Sequence, residues 1–161
     1  MKRSFLSTLL VIFIGLTAWS QEISPNAIGI RTGSNDGFGM EVSFQHAMGG
    51  NNRLEADLGW SNNNNYDYWK LTGLYQWVWN IDQGFNWYAG FGAGIGNANV
   101  KRVNTGSDGL FLNADGNLGI EYNFDIPLLI SLDFRPEFGI INDYGANDVG
   151  MDIALGIRYQ F

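Results

Sequence analysis

The thirteen residues from Val149 to Phe161 alternate without a break between apolar side chains and small, polar or charged ones. A period of two over that length specifies an extended strand with one apolar and one polar face. The apolar face carries Val149, Met151, Ile153, Leu155, Ile157, Tyr159 and Phe161. Tilted, such a strand covers roughly 25 Å of hydrocarbon.

The same pattern returns seven more times. Ile28 and Ile30 flank Gly29 and Arg31 in a short first strand, and Phe38, Met40, Val42 and Phe44 interleave with Gly39, Glu41, Ser43 and Gln45 in the second. The third sets Leu54, Ala56, Leu58 and Trp60 against Arg53, Glu55, Asp57 and Gly59; the fourth sets Trp69, Leu71, Tyr75, Trp77 and Trp79 against Lys70, Thr72, Gln76 and Asn80. In the fifth, Trp87, Ala89, Phe91, Ala93 and Ile95 alternate with Tyr88, Gly90, Gly92, Gly94 and Gly96. The sixth opposes Leu110, Leu112, Ala114, Leu118, Ile120 and Tyr122 to Asn113, Asp115, Asn117, Gly119 and Glu121. The seventh opposes Leu128, Ile130, Leu132, Phe134, Phe138 and Ile140 to Ser131, Asp133, Arg135, Glu137 and Gly139. No segment has a sustained helical period. Pro136 lies inside the seventh strand and cannot donate a ladder hydrogen bond, so a bulge or an early end is expected there.

The amino terminus reads as an export signal. Lys2 and Arg3 precede an apolar run from Leu9 to Leu16, and Ala18-Trp19-Ser20 supplies small residues before a cleavage site. Residues 1–20 are therefore expected to be a cleaved signal peptide and residues 21–161 a single domain. No later stretch approaches the length of a transmembrane helix, so a membrane protein built from this chain must be a closed barrel. The absence of cysteine excludes disulfides, thiol chemistry and a lipid-modified cysteine. Without Lys2 and Arg3 the chain has 7 basic and 16 acidic residues, a net charge of −9, with no basic patch to engage nucleic acid.

Connections alternate in length as well. Met48 to Asn52, Asn80 to Gly84 and Asn123 to Pro127 are tight turns, whereas Ser34 to Gly37, Ser61 to Asp67, Asn97 to Asp108 and Asn142 to Asp148 form longer polar loops on average. An even-stranded meander then has a short-turn rim, carrying both chain ends, and a long-loop rim.

Alternation alone does not say which face points outward, since a soluble barrel would bury its apolar face. Volume decides. The apolar face holds Trp60, Trp69, Trp77, Trp79 and Trp87, too much bulk for an eight-stranded bore. Glycines gather on the polar face, where they relieve crowding in a narrow lumen. The inward parity also collects Arg31, Glu41, Arg53, Glu55, Asp57, Lys70, Asp115, Glu121, Asp133, Arg135, Glu137, Asp152 and Arg158. Five cations among eight carboxylates can pair across the bore, and leaving any of them buried alone would cost several kcal/mol. The expected result is a lumen filled by ion pairs. The acidic excess and the Gly90-Gly92-Gly94-Gly96 stripe leave open a narrow, gated, cation-preferring channel.

Aromatic residues fall where interfacial belts belong. Trp77, Trp79, Phe85, Trp87, Tyr122, Tyr159 and Phe161 lie near the short-turn rim; Phe38, Trp60, Tyr66, Tyr68, Trp69 and Phe138 lie near the other. Trp60, Tyr66, Tyr68 and Trp69, beside Asn62 to Asn65, could alternatively stack on carbohydrate. His46, the one histidine, has outward parity near the turn rim while Ser43 points inward, so the two cannot form a nucleophilic pair. No catalytic, metal or cofactor site is expected; Asp143 and Asp148 lack the spacing of a calcium loop.

Taken together, the export signal, the meander from Ala27 to Phe161, the glycine-rich Tyr88 to Gly96 strand and the ending Ile157-Arg158-Tyr159-Gln160-Phe161 resemble the small eight-stranded outer-membrane β-barrels of the OmpA and OmpX type, within the wider porin-like superfamily. The resemblance implies an all-β, antiparallel up-and-down transmembrane barrel in a Gram-negative outer membrane, with loops extracellular and both termini periplasmic. It implies a monomer whose partners are lipid and, during biogenesis, periplasmic chaperones and the barrel-assembly machinery. Phe161, Tyr159 and Ile157 would then be the residues read by that machinery. It leaves the activity open among structural proteins, adhesins and a few lipid-modifying enzymes.

Overall fold

The computed structural model describes residues 23–33, 40–62, 66–100, 108–142 and 149–161. Every element among them is a strand: β1 (Asn26–Gly33), β2 (Glu41–Gly49), β3 (Asn52–Asn62), β4 (Tyr66–Asp82), β5 (Phe85–Val100), β6 (Asp108–Asn123), β7 (Leu128–Asn142) and β8 (Val149–Gln160). Each pairs antiparallel with the next, and β1 closes on β8, giving an eight-stranded up-and-down barrel without a sheet edge. Closure removes the unpaired backbone groups that an open sheet would present to its surroundings. At the seam Ile28 pairs with Tyr159 and Ile30 with Ile157. The last rung is a reciprocal one: Asn26 N donates to Phe161 O (3.1 Å) and Phe161 N donates to Asn26 O (2.9 Å). The expected signal peptide, residues 1–20, lies outside the described residues.

The start of β1 and the end of β8 share a rim with the short turns. Gly49 (φ 91°), Gly50 (φ 59°) and Gly84 (φ 89°) occupy left-handed conformations, which glycine adopts without a Cβ penalty. Beside these turns the register shifts by one residue at Met48 and at Ile81, so both tight connections are built with a bulge. At the opposite rim β4 begins at Tyr66 and β5 continues to Val100. Segments expected to be loop, at Asn97 to Asn99 and at Tyr66 and Asp67, are therefore strand. Their polar side chains hid a pairing that the backbone continues past the apolar belt.

Pro136 behaves otherwise than expected. Strand β7 neither ends nor bulges there, and Pro136 keeps its register with Met151 on β8. Beside Pro136 the ladder with β6 is interrupted opposite Gly116 and Asn117 and resumes in the same register, Asp115 with Glu137 and Leu118 with Phe134. Gly116 makes this tolerable, because a Cβ at that position would lie 3.0 Å from the proline Cγ. The bulge sits instead at Ile140, since Leu112 pairs with Ile141 but Asn113 with Gly139. Ile140 and Ile141 consequently both face outward, as the two residues of a bulge can.

The two faces separate by chemistry. The large hydrophobics Ile30, Phe44, Leu58, Phe91, Leu118, Leu132 and Leu155 are exposed on the outside. Inside, the buried side chains are mostly charged or polar, with Arg31, Arg135 and Arg158 among the largest that are fully enclosed. Leu74, Val78, Tyr88, Phe111 and Leu129 join them and fill space between the charges.

Candidate functional site: the lumen charge network

Strand parity delivers all thirteen inward charges to one enclosed volume, where twelve of them are buried and Glu137 is half-buried. Near the turn rim the network is balanced. Arg53, Glu55, Glu121 and Arg158 each lie within four residues of the turn end of their strands. Arg53 Nη1 donates to Glu121 (2.9 Å), its Nε donates to Gln76 (2.8 Å), and its guanidinium lies 5.1 Å from the centre of the Tyr88 ring. Arg158 donates to Glu55 (3.0 Å), Ser131 (2.7 Å) and Ser43 (2.9 Å). Glu55 accepts further hydrogen bonds from Gln45 (2.6 Å) and Gln76 (3.1 Å). Each planar fork finds acceptors for several of its donors, the condition under which buried charge is tolerated.

Farther up the bore the balance shifts. Arg31 donates to Glu41 (2.9 Å), to Asp133 (2.6 Å) and to Asp152 (2.6 Å), tying β1 to β2, β7 and β8. Arg135 pairs with Asp57, and with Glu41 at 3.4 Å. Lys70 pairs with Glu137 near the loop rim. Asp115 accepts from Asn113 but has no ion pair among the described residues. Beyond the four turn-rim residues, three cations thus face six carboxylates.

The glycine stripe of β5 is occupied rather than open. A Cβ at Gly90 would meet the Gln76 side chain at 3.0 Å; at Gly94 it would meet the Asn113 amide and, at 2.9 Å, Lys70 Cε. At Gly96 it would run into the Phe111 ring, and at Gly119 on β6 into Tyr88. Gly94, Gly96 and Gly119 admit neighbouring side chains to the wall of the bore, whereas at Gly90 and Gly92 the backbone of β4 comes nearest. The hydrogen-bonding contributions of Gln45, Gln76, Asn113, Asn117 and Ser131 were legible only as parity, because neutral polar residues advertise no partner, and Asn86 lay before the strand as read.

The remaining candidates sit elsewhere. Ile157, Tyr159 and Phe161 face outward and exposed, the two rings stacked with centroids 6.3 Å apart. His46 is exposed on the outside and its Nδ1 lies 2.9 Å from Asn26 Oδ1, whereas Ser43 is buried in the bore under Arg158. The sheet separates them. Among the described residues no group of three His, Cys, Asp or Glu side chains is arranged to hold a metal ion. Trp60 and Trp69 are cross-strand partners exposed at the loop rim, while Tyr68 shares the inward parity of Lys70 and is half-buried, so the proposed aromatic set is split between faces. Asn63 to Asn65, Phe38, Asp143 and Asp148 lie outside the described residues.

No family model matches the sequence, and no curated protein does. Solved structures do. The N-terminal β-barrel domain of Pseudomonas aeruginosa OprF matches with a TM-score of 0.66 at 13% identity, covering 86% of this chain and 100% of that one. Neisserial surface protein A matches at 0.62 and 13%, covering 84% and 94%. Ail, the attachment invasion locus protein of Yersinia pestis, matches at 0.59 and 15%, covering 86% and 97%. Together with the closed meander, these matches show that the chain has the fold of the small eight-stranded outer-membrane β-barrels.

Proposed function

We propose that this chain is an integral outer-membrane barrel with its loops outside the cell, its termini in the periplasm and a lumen sealed by ion pairs, acting in a structural or surface-interaction role. The observation that carries the reading is the partition of charge. Away from the strand ends, the charged side chains described in the strands point into the bore, and the outside is an apolar surface. Water would not select such an exterior, whereas hydrocarbon requires it: a cation at the bilayer midplane costs about 2–4 kcal/mol. Leu118→Arg, at an exposed outward position in the middle of β6, is expected to destabilise the vesicle-inserted protein by about that amount, and Leu118→Met by much less. Equilibrium urea unfolding followed by tryptophan fluorescence measures both. Heat-modifiable migration on gels and a need for detergent are expected of the wild type; a chain that stays soluble and folded without detergent would overturn the reading.

A channel is the second reading, favoured by the excess of carboxylates over cations above Arg158. The filled glycine stripe and the enclosed Arg158, Tyr88, Leu74 and Gln76 support a plug instead. Planar bilayers are expected to show no discrete openings above background. A lipid-modifying role would need His46, and His46→Ala is expected to leave lipid A mass spectra unchanged. The outward row Ile157, Tyr159 and Phe161 is the proposed contact for the assembly machinery. Removing Phe161 is expected to lower the amount of protein in the outer membrane severalfold while leaving refolding into detergent intact, a contrast that separates recognition from folding.

A further inference from the structure

Resting on the membrane-barrel reading, we propose that the loop-end half of the lumen binds a hard cation of the calcium class, held by Asp115 Oδ2, Asn113 Oδ1 and Thr72 Oγ1. Charge bookkeeping and orphaned oxygens lead there independently. Below, Arg53 and Arg158 match Glu55 and Glu121. Above, among the described residues, three cations face six carboxylates, an excess of three negative charges in an enclosed volume. Asp115 and Glu137 are direct cross-strand partners, an arrangement that is destabilising for like charges. Lys70 pairs with Glu137, so Asp115 has no ion pair of its own among the described residues.

The strands β4 and β6 on either side of β5 carry three inward oxygens without a hydrogen-bond partner. Asp115 Oδ2, Asn113 Oδ1 and Thr72 Oγ1 are all unpartnered, on residues only 3%, 6% and 0% exposed. Thr72 and Asn113 both flank Gly94, one on each neighbouring strand, and Asp115 follows on the same inward row of β6. The missing side chain at Gly94 lets the Asn113 amide lie against the wall. A carboxylate, an amide carbonyl and a hydroxyl are oxygen donors of the kind calcium takes, with water completing the shell. The absence of nitrogen and sulfur donors argues against zinc. A single carboxylate donor places the affinity in the weak class of extracellular sites, about 10⁻⁴–10⁻³ M. Beneath it Leu74, Gln76 and Arg158 are enclosed, so the ion enters and leaves at the loop end.

The test is urea unfolding of vesicle-inserted protein with calcium against sodium at matched ionic strength. Calcium at about ten times its dissociation constant is expected to favour the folded state about elevenfold. Asp115→Asn abolishes the shift, and Thr72→Val, which keeps the shape and removes the oxygen, weakens it. Should Asp115→Asn fail to fold, Thr72→Val and Asn113→Ala decide. No calcium shift in the wild type overturns the proposal, as does a shift that survives these substitutions and follows Asp143 and Asp148 instead. A chain that never inserts overturns the membrane reading itself, and the site with it.

Discussion

Arg31→Leu is expected to destabilise the barrel more than any other single replacement of a lumen charge. Its guanidinium bonds Glu41, Asp133 and Asp152, so removing it takes a counter-charge from three enclosed carboxylates at once, of which Glu41 keeps Arg135 at 3.4 Å. Breaking one buried pair by deleting a partner costs about 3–5 kcal/mol, because the surviving charge is left uncompensated in a poor solvent. The loss of a shared counter-charge by three carboxylates puts Arg31→Leu at the upper end of that range. Arg31→Lys restores only part of the loss, since an ammonium cannot serve two strands with a planar fork. Adding Asp133→Asn to Arg31→Leu is expected to recover stability, because it removes one of the stranded charges; the pair forms a double-mutant cycle readable in urea midpoints. If Arg31→Leu unfolds at the wild-type midpoint, water reaches these carboxylates and the pairs are worth no more than exposed ones, about 0–1 kcal/mol. That result would favour a wet path over a plug.

The alternation that exposes Arg31 to such a test was readable because charge and hydrocarbon cannot share a face. Thirteen charges on one parity, and none on the other between the rims, leave one barrel orientation open once the tryptophans are too bulky for the bore. What stayed hidden follows from the same physics. Leu74 and Val78 lie on the inward parity of β4, yet their neighbours Tyr75, Trp77 and Trp79 are apolar too, so hydrophobicity carries no contrast there. Pro136 signalled a break that Gly116 on the adjacent strand accommodates, a compensation visible only once register is known. The bulge at Ile140 left its trace in two consecutive isoleucines, which alternation reads as noise. Asp115 was recognised as an inward charge, but its lack of an ion pair depends on which carboxylate Lys70 reaches across the bore.

Gly29→Val is expected to abolish the folded form altogether. Gly29 sits on the closing pair of strands, opposite Arg158, and a Cβ there would overlap Ile157 O and come within 2.6 Å of Arg158 Cα and 2.8 Å of Ile157 C. Overpacking against side chains costs about 1–3 kcal/mol because neighbours can rotate away. Here the obstacle is backbone, and it belongs to the strand whose hydrogen bonds close the barrel. Moving it aside opens the seam and leaves two strand edges unpaired, and in the proposed membrane setting each unsatisfied backbone group costs several kcal/mol. The expected gel therefore shows only the unfolded band at every temperature. Gly73→Ala is the matched control, since its Cβ would point to open space on the outer face, and it should fold as the wild type does. Gly33→Ala belongs between them: its Cβ would meet the Asp152 carboxylate, a side-chain end that can shift at the expense of its bond to Arg31. A graded series of Gly73, Gly33 and Gly29 variants would show that backbone approach at the β1–β8 seam sets the tolerance. Equal folding of all three would mean that the strands close with a looser register than the one described.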